Sequence, residues 1–343
     1  MPKIAPHEEA IMRTIALEEH FTVPDLSART SESPSREPAG QYMAEVAGKL
    51  LDLGDGRLAD MDAAGIDLQV LSLSAIDWID KADAATAGSL VRDSNDLLAE
   101  AVRRHPKRFA GFAALALQAP EKAALELERC VTKLGLVGAM LDGTIGGLFL
   151  DDRRFEPVLA TAERLSVPIY IHPAPPPASV REAYYQGLPE SVAYSLSISG
   201  WGWHAEMGLH TLRLIVAGVF DRFPGLQIII GHMGEFIPYC LARSDLQLSR
   251  ASPHLKRRVS EYFRSNFHIT TSGYFTLPPF LCALMVVGAE RILFAVDYPY
   301  SPNTAGRRLL DEAPLSPADL ELVAHGNAER LLRLETATGL NKG

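Results

Sequence analysis

The sequence predicts an α/β fold of the (β/α)8 TIM-barrel type, and three observations predict it. Eight short apolar runs recur along the 343 residues, helical periodicity fills the stretches between them, and histidines and carboxylates fall at the ends of several runs. Alternating strand and helix is the pattern of parallel βαβ units. A length beyond about 250 residues suits a closed barrel with insertions, whose reactive side chains sit at the C-terminal ends of strands. An open doubly wound sheet is the competing architecture.

Residues 1–13 read as an N-terminal tail, with His7, Glu8 and Glu9 and no apolar signal core. Thr14–Leu17 (TIAL) reads as the first strand, running into Glu18-Glu19-His20-Phe21, and the polar stretch Ala28–Gly40 as a loop. Further strands are expected at Leu68–Leu73, Phe109–Leu117, Val137–Leu141, Pro168–His172, Ile228–His232, Phe267–Thr271 and Ile292–Asp297. Helical spacing marks Thr86–Arg104, Pro120–Leu134, Phe155–Leu165, Leu209–Phe220, Glu235–Leu248 and Leu277–Val287. Pro173–Gly200, after the fifth strand, is rich in Pro, Ser and Tyr and long for a βα connection, which suggests a lid. Two helical patterns from Ser316 to Leu334 close the fold, and 336–343 is a tail. The expected organisation is one barrel domain over 14–335.

Composition narrows the partners. The formal charge is −9, with 42 acidic and 33 basic residues intermixed, so nothing points to nucleic acid. No apolar stretch approaches the roughly 18 residues of a membrane span. Three cysteines without a CxxC pair suit reduced thiols and a cytoplasmic protein. Gly143–Gly147 lacks the Lys and Ser/Thr of a phosphate loop. A small molecule is the expected partner.

The chemistry concentrates at strand ends: Glu18 and His20 after the first, His172 ending the fifth, His232 the sixth and Asp297 the eighth. Residues two apart on a strand share a face, so Glu18 and His20 can point together while Glu19 points away. Such groups are costly to bury unless a metal or another partner satisfies them. Two imidazoles and two carboxylates suit either Zn2+ or Mn2+. Glu235, three residues beyond His232, either orients that imidazole or is a plain helix-start acid. Arg243, eight residues further, pairs with Glu235, with a substrate carboxylate or with a surface acid.

Ala16-Leu17-Glu18-Glu19-His20-Phe21, Ile171-His172-Pro173, Gly231-His232-Met233-Gly234-Glu235 and Asp297-Tyr298-Pro299 follow in order at successive strand ends. Together they resemble the amidohydrolase superfamily, and within it the decarboxylases of o-hydroxybenzoates such as γ-resorcylate and 2,3-dihydroxybenzoate. The resemblance spans about Thr14 to Leu334. It implies one divalent metal held by Glu18, His20, His172 and Asp297, no organic cofactor, and a catalytic set of Asp297, His232 and Glu235. Arg243, Asp142, Phe21 and Tyr298 are implied as substrate-binding, and a homo-oligomer, dimer or tetramer, as the assembly. Asp142 stands where the γ-resorcylate enzymes are expected to carry Asn, and Tyr298 where many carry Trp.

The implied reaction is non-oxidative decarboxylation of a 2-hydroxybenzoate. Carboxylate and ortho hydroxyl chelate the metal, Asp297 protonates the ring carbon, and CO2 leaves. The alternative on the same scaffold is a mononuclear hydrolase of a lactone, amide or ester. A two-metal hydrolase is disfavoured because Met140-Leu141-Asp142-Gly143 offers no lysine to bridge two ions. A third reading, a non-catalytic barrel, would leave the ligand set without purpose.

Overall fold

The computed structural model describes residues 12–26, 40–74, 79 and 81–334. Most of the expected N-terminal tail, the loop at 28–40 apart from its last residue, and the 336–343 tail lie outside the described residues. Among the described residues the apolar runs form β1 Ile15–Phe21, β2 Leu68–Leu73, β3 Phe109–Gly111, β4 Ala139–Asp142, β5 Ile169–His172, β6 Ile228–Ile230, β7 Phe267–Thr270 and β8 Ile292–Leu293.

All the ladders are parallel. They make two arcs, β1-β2-β3 and β4 through β8 in order. Single bridges, Leu17 to Ala295 and Ala113 to Ala139, join the arcs. The N–H of Leu17 donates to the Phe294 carbonyl and that of Met140 to the Ala113 carbonyl, both at 3.0 Å. The sheet therefore closes, and the open doubly wound alternative falls.

Alternation puts Ile15, Leu17, Val70, Phe112, Tyr170 and Ile229 inside the barrel. Their neighbours, such as Ile169, Ile171, Ile228 and Ile230, pack outward against the helices. Burying each such side chain contributes about 1.5–3 kcal/mol, which is the drive for closure. Helix Asn327–Leu332 plugs the floor with Ala328 and Leu332. The Asn327 amide ties it down by donating to the carbonyls of Ala289 (2.7 Å) and Ile292 (2.8 Å).

Three expectations need correction. The third and eighth strands are shorter than their apolar runs, because beyond Gly111 and Leu293 the chain keeps only isolated bridges. The helix expected at Leu209–Phe220 instead runs Gly202–Val216, and the insertion before it forms helices Ala178–Tyr185 and Glu190–Ser197. Helix Ile237–Ala251 begins after Glu235, which sits in the preceding turn.

Candidate active site

The mouth of the barrel is built on backbone irregularities. Strand β1 starts with Ile15 and Leu17 inside, so unbroken alternation would send Glu19 and Phe21 inward and Glu18 and His20 outward. A bulge reverses this. Pairing with β2 steps from Ala16–Gln69 to Glu19–Leu71, and Glu18 takes a left-handed backbone with φ 61°. Glu18 and His20 then both face the mouth, and Phe21 is turned out into the core between barrel and helices.

Glu18, His20, His172 and Asp297 bring one ligand atom each to within 4.8 Å of one another. From inside the barrel the Tyr170 hydroxyl donates to Glu18 Oε2, and Thr270 adds a second hydrogen bond at 3.3 Å. Burial, then the Glu18 charge, raises the Tyr170 phenol far above its ordinary value and keeps it a donor. Glu18 Oε1 is left buried without a partner, 3.6 Å from His172 Nε2. His20 leans on Ser72 Oγ through Nδ1 (3.2 Å), and its Nε2 lies 3.2 Å from Asp297 Oδ1 with no hydrogen bond made. Gly231 permits this crowding, since a Cβ there would stand 3.0 Å from the Glu18 carboxylate.

A second cluster adjoins the first. Residues His232, Met233, Gly234, Glu235 and Phe236 all have left-handed φ, at 50, 56, 81, 52 and 65°. For the four non-glycine residues that costs about 1–2 kcal/mol each, strain of a kind that collects at functional sites. The turn folds His232 and Glu235 onto each other, with Nδ1 to Oε1 at 2.8 Å. Glu235 Oε2 meets Nδ1 of His204 at 2.6 Å. Burial alone would raise the Glu235 carboxyl, but the two imidazoles hold it below its usual range. His232 Nε2 faces the mouth, 4.0 Å from both Glu18 Oε1 and Asp297 Oδ2.

Comparison with known proteins places this geometry. Residues 46–334 match the amidohydrolase family. The chain belongs to that family. It is 40% identical to decarboxylase orsB of Emericella nidulans over 93% of this chain and 97% of the other. It is 39% identical to gamma-resorcylate decarboxylase of Rhodococcus jostii, over 94% and 98%. The crystal structure of a dihydroxybenzoic acid decarboxylase from Polaromonas, with bound manganese and the inhibitor 2-nitroresorcinol, superposes with a TM-score of 0.86 at 36% identity. That match covers 96% of this chain and 99% of the other.

The amidohydrolase site passes the test for a divalent cation on its own atoms. Two buried donors, Glu18 Oε1 and His20 Nε2, have no partner and share one locus with His172 and Asp297. Burial would push the His172 imidazole down, yet Asp142, Glu18 and Asp297 raise it to about 9. That excess of carboxylate charge is what a cation would offset, and the mixed nitrogen and oxygen donors suit manganese or zinc.

The structure separates the other expected residues. Asp142 turns onto His172, with Oδ1 3.4 Å from Nδ1, so its charge acts on that imidazole. Phe21 is fully buried outside the barrel. Tyr298 also points outward, because its neighbour Asp297 points in; its hydroxyl donates to Asp60 (2.7 Å) and its ring lies under Arg57. Arg243 is exposed on helix Ile237–Ala251 and does not reach Glu235, whose oxygens belong to the two histidines.

Other residues join the site to which the sequence reading assigns no catalytic role. Glu19 accepts from the N–H groups of Val296 (2.9 Å) and Tyr298 (3.1 Å), clamping the backbone on both sides of Asp297, itself left-handed at φ 72°. Tyr300, three residues past Asp297, stands edge-on to His20 and meets Ser74 Oγ at 2.8 Å. Trp203 stands edge-on to His172. Carrying the alternation of β8 two residues past Asp297 reaches Pro299, so strand pattern signals neither Tyr300 nor His204, which lies inside a helix.

Proposed function

We propose that this protein is a divalent-metal-dependent decarboxylase of an aromatic acid with a hydroxyl ortho to its carboxylate, a carboxy-lyase. The observation that carries the reading is the convergence of partnerless Glu18 Oε1 and His20 Nε2 with His172 and Asp297, in a chain about 40% identical to decarboxylases over nearly its whole length. The hydrolase alternative gives way to it.

Glu18, His20, His172 and Asp297 would hold the ion. When bound, it would supply Lewis acidity that favours the oxyanion form of the substrate. Breaking the bond to CO2 directly would leave an aryl carbanion, so the ring carbon must be protonated first. Asp297, at the mouth and held on both sides by Glu19, delivers that proton. His232, aimed by Glu235, holds the phenolic oxygen at Nε2. As CO2 departs, the electrons of the broken bond restore the aromatic ring. Trp203 and Tyr300, beside His172 and His20, form the aromatic walls.

The reading extends to one functional barrel domain over 14–335, a cytoplasmic setting suggested by three free cysteines, and a homo-oligomer, dimer or tetramer. Tyr184, Leu188, Val192 and Leu196, exposed on the two helices and the turn after β5, supply an apolar face for such an assembly; light scattering tests it. Among the described residues no helix is long and apolar enough to cross a membrane.

The deciding experiment pairs metal analysis of purified protein with a screen of 2-hydroxybenzoates, 2,6-dihydroxybenzoate first, scoring CO2 and phenol. Stoichiometric manganese or zinc with CO2 release is the expected result. Stoichiometric metal with no CO2 from any of them would reject the decarboxylase.

A further inference from the structure

The Glu235 carboxylate is fully buried, and each of its oxygens meets a different imidazole. His232 faces the barrel mouth. His204 comes from elsewhere, the first turn of helix Gly202–Val216, and is itself 2% exposed. It lies edge-on to His232 with ring centroids 4.7 Å apart, and its Nε2 is flanked at 3.1 Å by Trp203 Nε1 and by the Ser199 carbonyl. The helix presses on the turn itself: a Cβ on Gly208 would stand 2.9 Å from the Glu235 carbonyl.

The left-handed run from His232 to Phe236 is not a conformation these residues hold by preference. Contacts from outside must keep it, and among the described residues His204 is the side chain that grips Glu235 from beyond the turn. Without it Oε2 would be a buried carboxylate oxygen lacking a donor, free to turn away and take Oε1 from His232.

We propose that His204 is a positioning residue for decarboxylation: it fixes the second oxygen of Glu235 so that the first keeps His232 aimed at the substrate oxygen. The inference rests on the function proposed above. It makes the working unit three residues, His232–Glu235–His204.

The test uses manganese-loaded full-length protein with 2,6-dihydroxybenzoate. His204→Leu lowers kcat by about 10- to 100-fold, with KM, metal content and melting temperature close to wild type. His204→Asn, whose amide N–H can stand where Nδ1 stands, recovers kcat to within about 3-fold, whereas His204→Gln, one bond longer, stays as slow as the leucine variant. Placed on Glu235→Gln, His204→Leu costs less than about 2-fold more, since both changes break one device. Wild-type kcat in His204→Leu, or full additivity with Glu235→Gln, would overturn the proposal.

A separate readout survives failure of the proposed function. In protein with 15N-labelled histidine, the hydrogen-bonded Nδ1 proton of His232 is expected at low field, lost in His204→Leu and restored in His204→Asn. If wild type releases no CO2 from any 2-hydroxybenzoate, the functional reading falls and this signal alone decides about His204; its persistence in His204→Leu refutes the positioning role.

Discussion

Two groups of histidines and carboxylates stand side by side at the barrel mouth, and the same residue types do opposite things in them. In each, the ligand atoms lie within 4.8 Å of one another, so proximity does not tell them apart. Charge does not either: His172 in one is raised to about 9 and His232 in the other to about 10, by neighbouring carboxylates that outweigh burial. What differs is satisfaction. Glu235 spends both oxygens on imidazole nitrogens, closing that group upon itself. Glu18 spends one oxygen on Tyr170 and Thr270 and keeps the other buried and idle, as His20 keeps Nε2. A cluster whose carboxylate lacks a hydrogen-bond partner suits a cation; a cluster whose carboxylate has both oxygens taken can hold an imidazole in place.

The largest effect should fall on Asp297, which the proposed mechanism gives both to the metal and to the proton. Asp297→Asn is expected to cut CO2 release by at least about 10³-fold, even in protein that still holds manganese. A variant with full occupancy and near-wild-type turnover would remove Asp297 from the mechanism. The contrast between the clusters is tested next by a matched pair. Glu18→Gln should weaken manganese binding by more than about 100-fold, whereas Glu235→Gln should leave it within about 3-fold and slow turnover instead. Equal loss of metal in both, measured by titration of chelator-stripped protein, would erase the distinction.

A smaller effect probes the oxygen choice at Glu18. Tyr170→Phe removes the hydroxyl that occupies Oε2, and the carboxylate can then rotate. Manganese affinity should fall about 10- to 100-fold with the fold intact, the usual cost of losing a residue behind a ligand. Unchanged affinity would mean that Thr270 suffices to hold the carboxylate.

How much of this could be read in the sequence follows from the same contrast. His172 and Asp297 were legible because each ends an apolar run and local alternation carries it inward, as Tyr170 and Ala295 are carried. Glu18 and His20 were paired correctly although the strand's own alternation opposes them; the bulge at Glu18 is set by pairing with β2, which a single segment does not reveal. Phe21 and Tyr298 were misplaced because membership of a motif says nothing of facing, and each neighbours a residue that points in. His204 lies inside a helix, where no strand-end pattern marks it. It reaches Glu235 only through packing of helix on turn, a contact between positions 31 apart in the chain.

The smallest expected effect concerns a buried histidine without a carboxylate partner, the control for both clusters. His210, on the same helix as His204, accepts a hydrogen bond at Nε2 from the Leu150 N–H (3.0 Å), and burial pushes its imidazole down to about 3. Unfolded, it would titrate near its ordinary 6.5. Between those values the unfolded chain binds the extra proton, so this residue's contribution is complete above about pH 6.5 and is lost as pH falls toward 3. At pH 5 the loss is roughly 2 kcal/mol. Thermal unfolding of wild type and His210→Gln at pH 7 and pH 5 reads it as a difference: the variant starts less stable but loses less on acidification. Equal losses in the two proteins would mean that His210 is not held neutral, and that burial on this helix is too weak to separate a histidine with a carboxylate from one without.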